Sequence, residues 1–191
     1  MKLCVLVALA CLLLSAAGCV HPPQPNAPRM APATEKLVLR NNAASLLADL
    51  LNDEKNVSKV LIIKQNSAEL GVLIKAISTM TGSAADRLTE LAKADPTLNL
   101  HDLGLPAGEA AVRDVIAKTK EHDLLLTSGQ EFEFNLLLTQ AQALSYGSHL
   151  AKVAAENSSR PDQVKAFESF GVAMTDLYRQ VVAMMRGVPV K

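Results

Sequence analysis

Residues 57–94 read VSKVLIIKQNSAELGVLIKAISTMTGSAADRLTELAKA, and their spacing decides the fold. Val60, Ile63, Ser67, Leu70, Ile74, Ile77, Thr81, Ala84, Leu88 and Leu91 step by three and four without a slip. That step keeps one seam on one face, so the spacing predicts a helix over about 57–94. Gly71 and Gly82 lie off the seam. Each lowers local helicity by roughly 1 kcal/mol relative to alanine, which marks them as candidates for a kink or a close crossing. Pro96 ends the helix, because the residue before a proline disfavours the α region.

The same periodicity extends in both directions. Upstream, Thr34 is placed to cap a first helix over 35–54, with Leu37, Ala44, Leu47 and Leu51 inward and Leu39, Leu46 and Leu50 widening the face. Downstream, the loop 96–106, PTLNLHDLGLP, has a proline at each end. A third helix follows over 107–126 with Val112, Val115, Ile116 and Leu126 as its apolar positions. Ser128-Gly129-Gln130-Glu131 reads as a capping box, opening a fourth helix to Glu156. The middle of that helix is rich in small residues, among them Ala141, Ala143, Gly147, Ser148 and Ala151, which lets a neighbour approach closely. After the break at 157–162, Ser159 is placed to cap and Pro161 suits a first turn. The fifth helix carries Val164, Phe167, Gly171, Met174, Tyr178, Val181 and Met185 on one seam, and Gly187 and Pro189 stop it. No run alternates polar and apolar residues beside a turn signal, so no strand is expected. The expected fold is all-α, an up-and-down bundle of four or five helices.

Composition agrees. The 191-residue chain has formal net charge zero, 20% charged residues, 3% aromatics and no Trp. Leu, Ala and Val dominate, as in packed helices. Bulk charge points to no nucleic-acid partner.

The N-terminus is an address. Met1-Lys2 gives a positive start, and Leu3 to Ser15 form an apolar run of 13 residues. Such a run is too short to span a bilayer but fits the core of a signal peptide. It ends in Ala16-Ala17-Gly18-Cys19, and His21-Pro22-Pro23 breaks it at once. The segment resembles the lipobox of bacterial lipoproteins, in which small residues precede the cysteine whose thiol takes a diacylglyceryl group. That family usually has Leu where this chain has Ala16. The alternative is an ordinary secretory signal cut near the same place. Cys4 and Cys11 lie inside the signal, so a chain cut before Cys19 keeps one cysteine and no disulfide. The expected organisation is a signal peptide over 1–18, a lipidated tether over 19–34 and a bundle over 35–191. Five of the nine prolines fall within 20–34, which makes that stretch a semi-rigid spacer. Lipid on Cys19 would make the membrane a partner through an anchor rather than a span. By resemblance to enteric sorting rules, Val20 after the cysteine favours the outer membrane over the inner, with the bundle in the periplasm.

Three stretches carry a second resemblance. They are Leu88-Thr89-Glu90-Leu91-Ala92-Lys93 with the loop to Pro106, Ser128-Gly129-Gln130-Glu131-Phe132, and Arg160-Pro161-Asp162 through Met185. Together, over 85–186, they resemble an uncharacterised family of exported bacterial proteins with a ferritin-like bundle. The motifs are mainly helix boundaries plus core residues. That family usually has an Asp-His pair two turns before the Leu-x-x-Leu segment, and this chain has Met80-Thr81 there. The role of that pair therefore does not carry over, and fold analogy supplies no function.

Reactive constellations are scarce. Ferritin-type di-iron sites use Glu-x-x-His, and no Glu in this chain has His three residues later. No clustered His/Cys set suits zinc, and no glycine-rich phosphate loop or nucleophile elbow is present. No catalytic residue, metal ligand or cofactor is assigned. His21 lies in the tether and His101 in a loop, while His122 near a helix end suits the dipole as a solvated cation. Met174, Met184 and Met185 fit core filling. Glu131 and Glu133 diverge on a helix; one is expected to cap and the other to be solvated. Gln142, Tyr146 and His149, spaced by four and three, form a polar stripe that could hold a small molecule or metal. The leading expectation is a non-enzymatic, membrane-tethered bundle of the cell envelope, acting by structure or by contact with an envelope protein. The alternatives are a ligand- or metal-binding module near Tyr146 and His149, and an envelope enzyme whose site is not visible in sequence.

Overall fold

A computed structural model describes residues 31–101 and 103–187. The expected signal over 1–18, Cys19, most of the expected tether, Asp102 and Pro189 lie outside the described residues. From Pro32 on, the chain forms one helical unit, and among the described residues there is no strand. The helices are α1 (Pro32–Glu54), α2 (Val60–Ile63), α3 (Ala68–Ala94), α4 (Ala107–Leu126), α5 (Gly129–Glu156) and α6 (Pro161–Met185). A 3-10 turn, Val57–Lys59, precedes α2.

Four long helices make the core. In cyclic order α1 packs on α3, α3 on α6, α6 on α5 and α5 on α1. Side-chain bonds fix their directions. Arg40 near the start of α1 and Gln163 near the start of α6 meet Asp95 at the end of α3. At the other end of the bundle, Ser67 at the start of α3 meets Glu133 near the start of α5. So α1 and α6 run one way and α3 and α5 the other, and every packed pair is antiparallel. The diagonal pair α3 and α5 is joined by a long crossover, the loop 95–106 plus α4. Leu47 and Leu51 from α1, Leu70, Ile74, Ile77 and Leu88 from α3, Phe132, Leu136 and Leu144 from α5, and Phe167, Met174 and Val181 from α6 fill the centre. Each fully buried Leu or Phe contributes roughly 1.5–3 kcal/mol relative to staying in water. The Phe167 and Phe170 rings meet edge-on with centroids 6.2 Å apart.

The expected seam holds over α3, where Leu70, Ile74, Ile77, Thr81, Ala84, Leu88 and Leu91 are all buried. It does not extend back to Val57. Lys64 is extended, and Ser67 caps α3 from an extended backbone. Ile62 is 83% exposed and Ile63 is 65% exposed, so these two do not join the core. Tertiary bonds replace the helical ones lost at the break. Ser67 donates its amide to Glu133 Oε1 at 2.5 Å and its hydroxyl to Oε2 at 3.1 Å. Lys64 Nζ donates to the carbonyls of Leu125 and Thr127 at 2.6 and 2.8 Å, closing the otherwise open C-terminal carbonyls of α4. Glu133, expected to be solvated while Glu131 capped, instead holds the start of another helix.

Other boundaries also differ. The first helix starts at Pro32, inside the stretch expected to be tether, so Thr34 is helical rather than its cap. Proline at a first helical position lacks only an amide that has no partner there anyway. The third helix is no part of the core: α4 buries no side chain, and Val112, Val115, Ile116 and Leu126 are all about half exposed or more. Its one substantial neighbour is α5. Ser128 takes the N-cap backbone of α5 but makes no side-chain cap bond, so the capping box is not closed. Arg160, not Ser159, takes the N-cap position of α6; it makes no side-chain cap bond, and its guanidinium pairs with the Asp162 carboxylate. Leu37, Leu39 and Tyr178 are more exposed than expected. The small residues of α5 do allow close packing. A Cβ added at Gly147 would lie 2.7 Å from both Leu50 Cδ2 and Met174 Sδ.

Candidate functional site

The crossover leaves space under itself. α4 lies against α5 without filling the trough between α5 and the end of α1, and a groove of about 930 Å3 remains. Pockets for small molecules run from about 300 to 1,000 Å3. Leu50 and Val57 from the α1 side, Val60 from α2, Ile116 and Leu124 from α4 and Leu136 from α5 make its apolar walls.

Its floor is polar. Glu54, the last residue of α1, and Gln140, in the middle of α5, both line the groove. Gln140 is 1% exposed. Glu54 Oε2 and Gln140 Oε1 are fully buried and have no hydrogen-bond partner. Burial pushes the Glu54 carboxyl above its ordinary range, with Asp53 adding to the rise. A hydrogen bond with the Gln140 side chain and the Lys120 charge pull it partly back. Burial, with help from Asp49, raises Asp53 beside it. Among the described residues the Glu54 carboxyl has no hydrogen-bonding neighbour apart from the Gln140 side chain, and a buried oxygen left without a donor, as Oε2 is, costs about 1–3 kcal/mol.

The rim is where α4 is tied down. Arg113 Nη2 donates to Tyr146 Oη at 2.8 Å, and Arg113 Nε pairs with Glu109 at 3.0 Å. The guanidinium also lies over the Tyr146 ring, 5.1 Å from its centroid. Lys120 Nζ donates to Gln142 Oε1 at 2.5 Å. Two residues of the expected stripe, Gln142 and Tyr146, therefore face the groove and hold its lid. The third, His149, lines a different hollow between α5 and α6, of about 960 Å3, with Lys152, Glu168, Asp176 and Arg179. The His149 Nδ1 proton goes to the Ser145 carbonyl at 2.7 Å. That hollow is edged by exposed charges, some of them paired with each other, such as Arg179 with Asp176 at 2.8 Å. No buried unpaired group lies on it.

Sequence reasoning passed over Glu54 and Gln140. One trace was visible, since an acidic pair, Asp53-Glu54, closes a helix where the dipole disfavours carboxylates. His101 and His122 are exposed. Among the described residues no three His, Cys, Asp or Glu side chains gather as metal ligands, and no helix is long and apolar enough to cross a membrane. No protein-family model matches the chain, and no curated protein or solved structure matches it.

Proposed function

We propose that this chain is a lipid-anchored helical bundle of the bacterial cell envelope that works by holding another molecule in the groove under α4. The lipobox-like Ala16-Ala17-Gly18-Cys19 and the proline-rich stretch after it support lipidation on Cys19 and a periplasmic bundle, with the outer membrane favoured by Val20. One long crossover between two helical hairpins supports the ferritin-like reading of the bundle and its likeness to the uncharacterised exported family.

One observation carries the binding reading. An apolar groove ends on two buried oxygens without a donor, at a place where the fold requires neither. Of the expected stripe, Gln142 and Tyr146 take part as the ties that hold α4 over the groove, and His149 has no part in it. The polar network elsewhere in the bundle, around Arg40, is self-satisfied and structural.

A solvatochromic apolar dye titrated into the full chain tests this. The expected result is saturable one-to-one binding that Ala143→Trp abolishes by filling the groove, while Ala76→Trp, on the exposed side of α3, leaves it intact. A dye that fails to saturate, or that binds both variants alike, would sink the reading.

A further inference from the structure

The groove reading leaves its occupant unnamed, and the inference here rests on that reading. The floor offers two acceptors, Glu54 Oε2 and Gln140 Oε1, with no protein donor for either. Among the described residues no cation is within ion-pair distance of Glu54. Of the cations that line the groove, Lys120 is engaged by Gln142 and Arg113 by Glu109 and Tyr146, and Lys59 makes no ion pair with Glu54. The missing partner is thus a group that brings several N–H donors and positive charge, mounted on something apolar enough for walls of Leu, Val and Ile.

We infer that the groove takes a small apolar amine, its alkyl or aryl body against Leu50, Val60, Ile116 and Leu136 and its ammonium donating to Glu54 Oε2 and Gln140 Oε1. Three donors on an ammonium satisfy two acceptors at once, where an alcohol brings one donor. A carboxylate head would set acceptor against acceptor in a site shielded from water, which is penalised. The charge-assisted bonds to Glu54 are about twice as strong as neutral ones. Neither oxygen is open to solvent, so the ammonium reaches them only when the covering wall gives, and α4 is the long helix that buries no side chain and is tied mainly by polar contacts at its rim.

Calorimetry on the full chain with 2-phenylethylamine, 2-phenylethanol and 3-phenylpropanoate separates the readings. The amine is expected to bind one-to-one at least about tenfold tighter than the alcohol, with the carboxylate weakest. In Glu54→Gln, with folding checked by circular dichroism, the preference for the amine disappears and the alcohol's affinity stays. Equal affinities in the unaltered chain, a preference for the carboxylate, or a preference that survives Glu54→Gln would overturn the amine assignment and leave the groove reading standing. Failure of all three to bind would overturn both. Sedimentation of the same samples tests a second copy of the chain as the occupant, and a dimer that the amine does not dissociate would also overturn the assignment.

Discussion

Glu54 and Asp95 are both shielded carboxyl groups, and their surroundings push them in opposite directions. Burial alone would raise Asp95, but Thr97 and Gln163 donate hydrogen bonds to it and Arg40 adds its charge, so its pKa falls below the ordinary range. Arg40, 4% exposed, lies 3.5 Å from Asp95 and also bonds the Thr97 carbonyl at 2.6 Å. A depressed acid stabilises the fold above its unfolded pKa and loses that contribution as pH falls through the folded value. Asp95 should therefore hold the bundle together down to about pH 4 and let go below it. Arg40→Met strands a buried carboxylate and should cost about 3 kcal/mol in urea melts at pH 7, with a smaller loss once Asp95 is protonated. A loss independent of pH would mean that packing, not charge, is what Arg40 supplies. The raised carboxyl of Glu54 works the other way: its favourable state is the protonated one, fully present below about pH 4 and lost as pH rises through the folded value. Glu54→Gln should stabilise the ligand-free protein at pH 7 and change little at pH 3.5. Greater stability of the native chain at pH 7 would show that Glu54 has a partner in solution. Neither carboxyl stood out in the sequence; of the groups around Asp95 only Thr97 is a chain neighbour, while Arg40 and Gln163 lie more than fifty positions away.

At the scale of elements, helix existence was legible and helix environment was not. The stepping of Leu70 through Leu91 is a core pattern and proved to be one. Val112, Val115 and Ile116 form a similar but thinner pattern, and the helix that carries them stays outside the core. Periodicity reports that a helix has an apolar side; it does not report whether three neighbours or one will cover it. The interruption at 64–67 was hidden for a related reason: its bonds go to Glu133, Leu125 and Thr127, all about sixty residues on. α4 should thus be the least protected of the long helices. Hydrogen exchange is expected to label its amides well before those of α3, α5 and α6, and equal protection would contradict its peripheral packing. Lys64→Ala should widen that gap. Where α5 crosses α1 and α6 closely, Gly147→Val forces atoms against Leu50 and Met174 and should cost about 2 kcal/mol by thermal melt. A neutral result would mean that those two flexible side chains swing aside.

At the scale of the whole molecule, the proposed address rests on one short segment, whereas the pairing of helices is spread over the chain. Cys19→Ser should leave an uncut precursor that takes up no labelled lipid; normal processing in that variant would point to an ordinary signal peptidase. The order of helices followed from prolines and periods, although none of the expected side-chain caps formed. Which helix lies beside which did not, since loop length alone cannot say that α3 and α5 are parallel diagonals. That arrangement makes the bundle a pair of helical hairpins, α1 with α3 and α5 with α6, and each hairpin keeps half of the shared apolar interior to itself. Ser45 and Arg40 fasten the early crossover, at Asn99 and Thr97, to the first hairpin. A cut at 103–106 would therefore sever the link without freeing that anchored part. The two fragments carry everything needed to find each other again, and they should reassemble at micromolar concentration into a complex with the native circular dichroism. The crossover then acts as a leash that sets the local concentration of one hairpin around the other, so the unbroken chain gains its stability over the split one from proximity rather than from contacts.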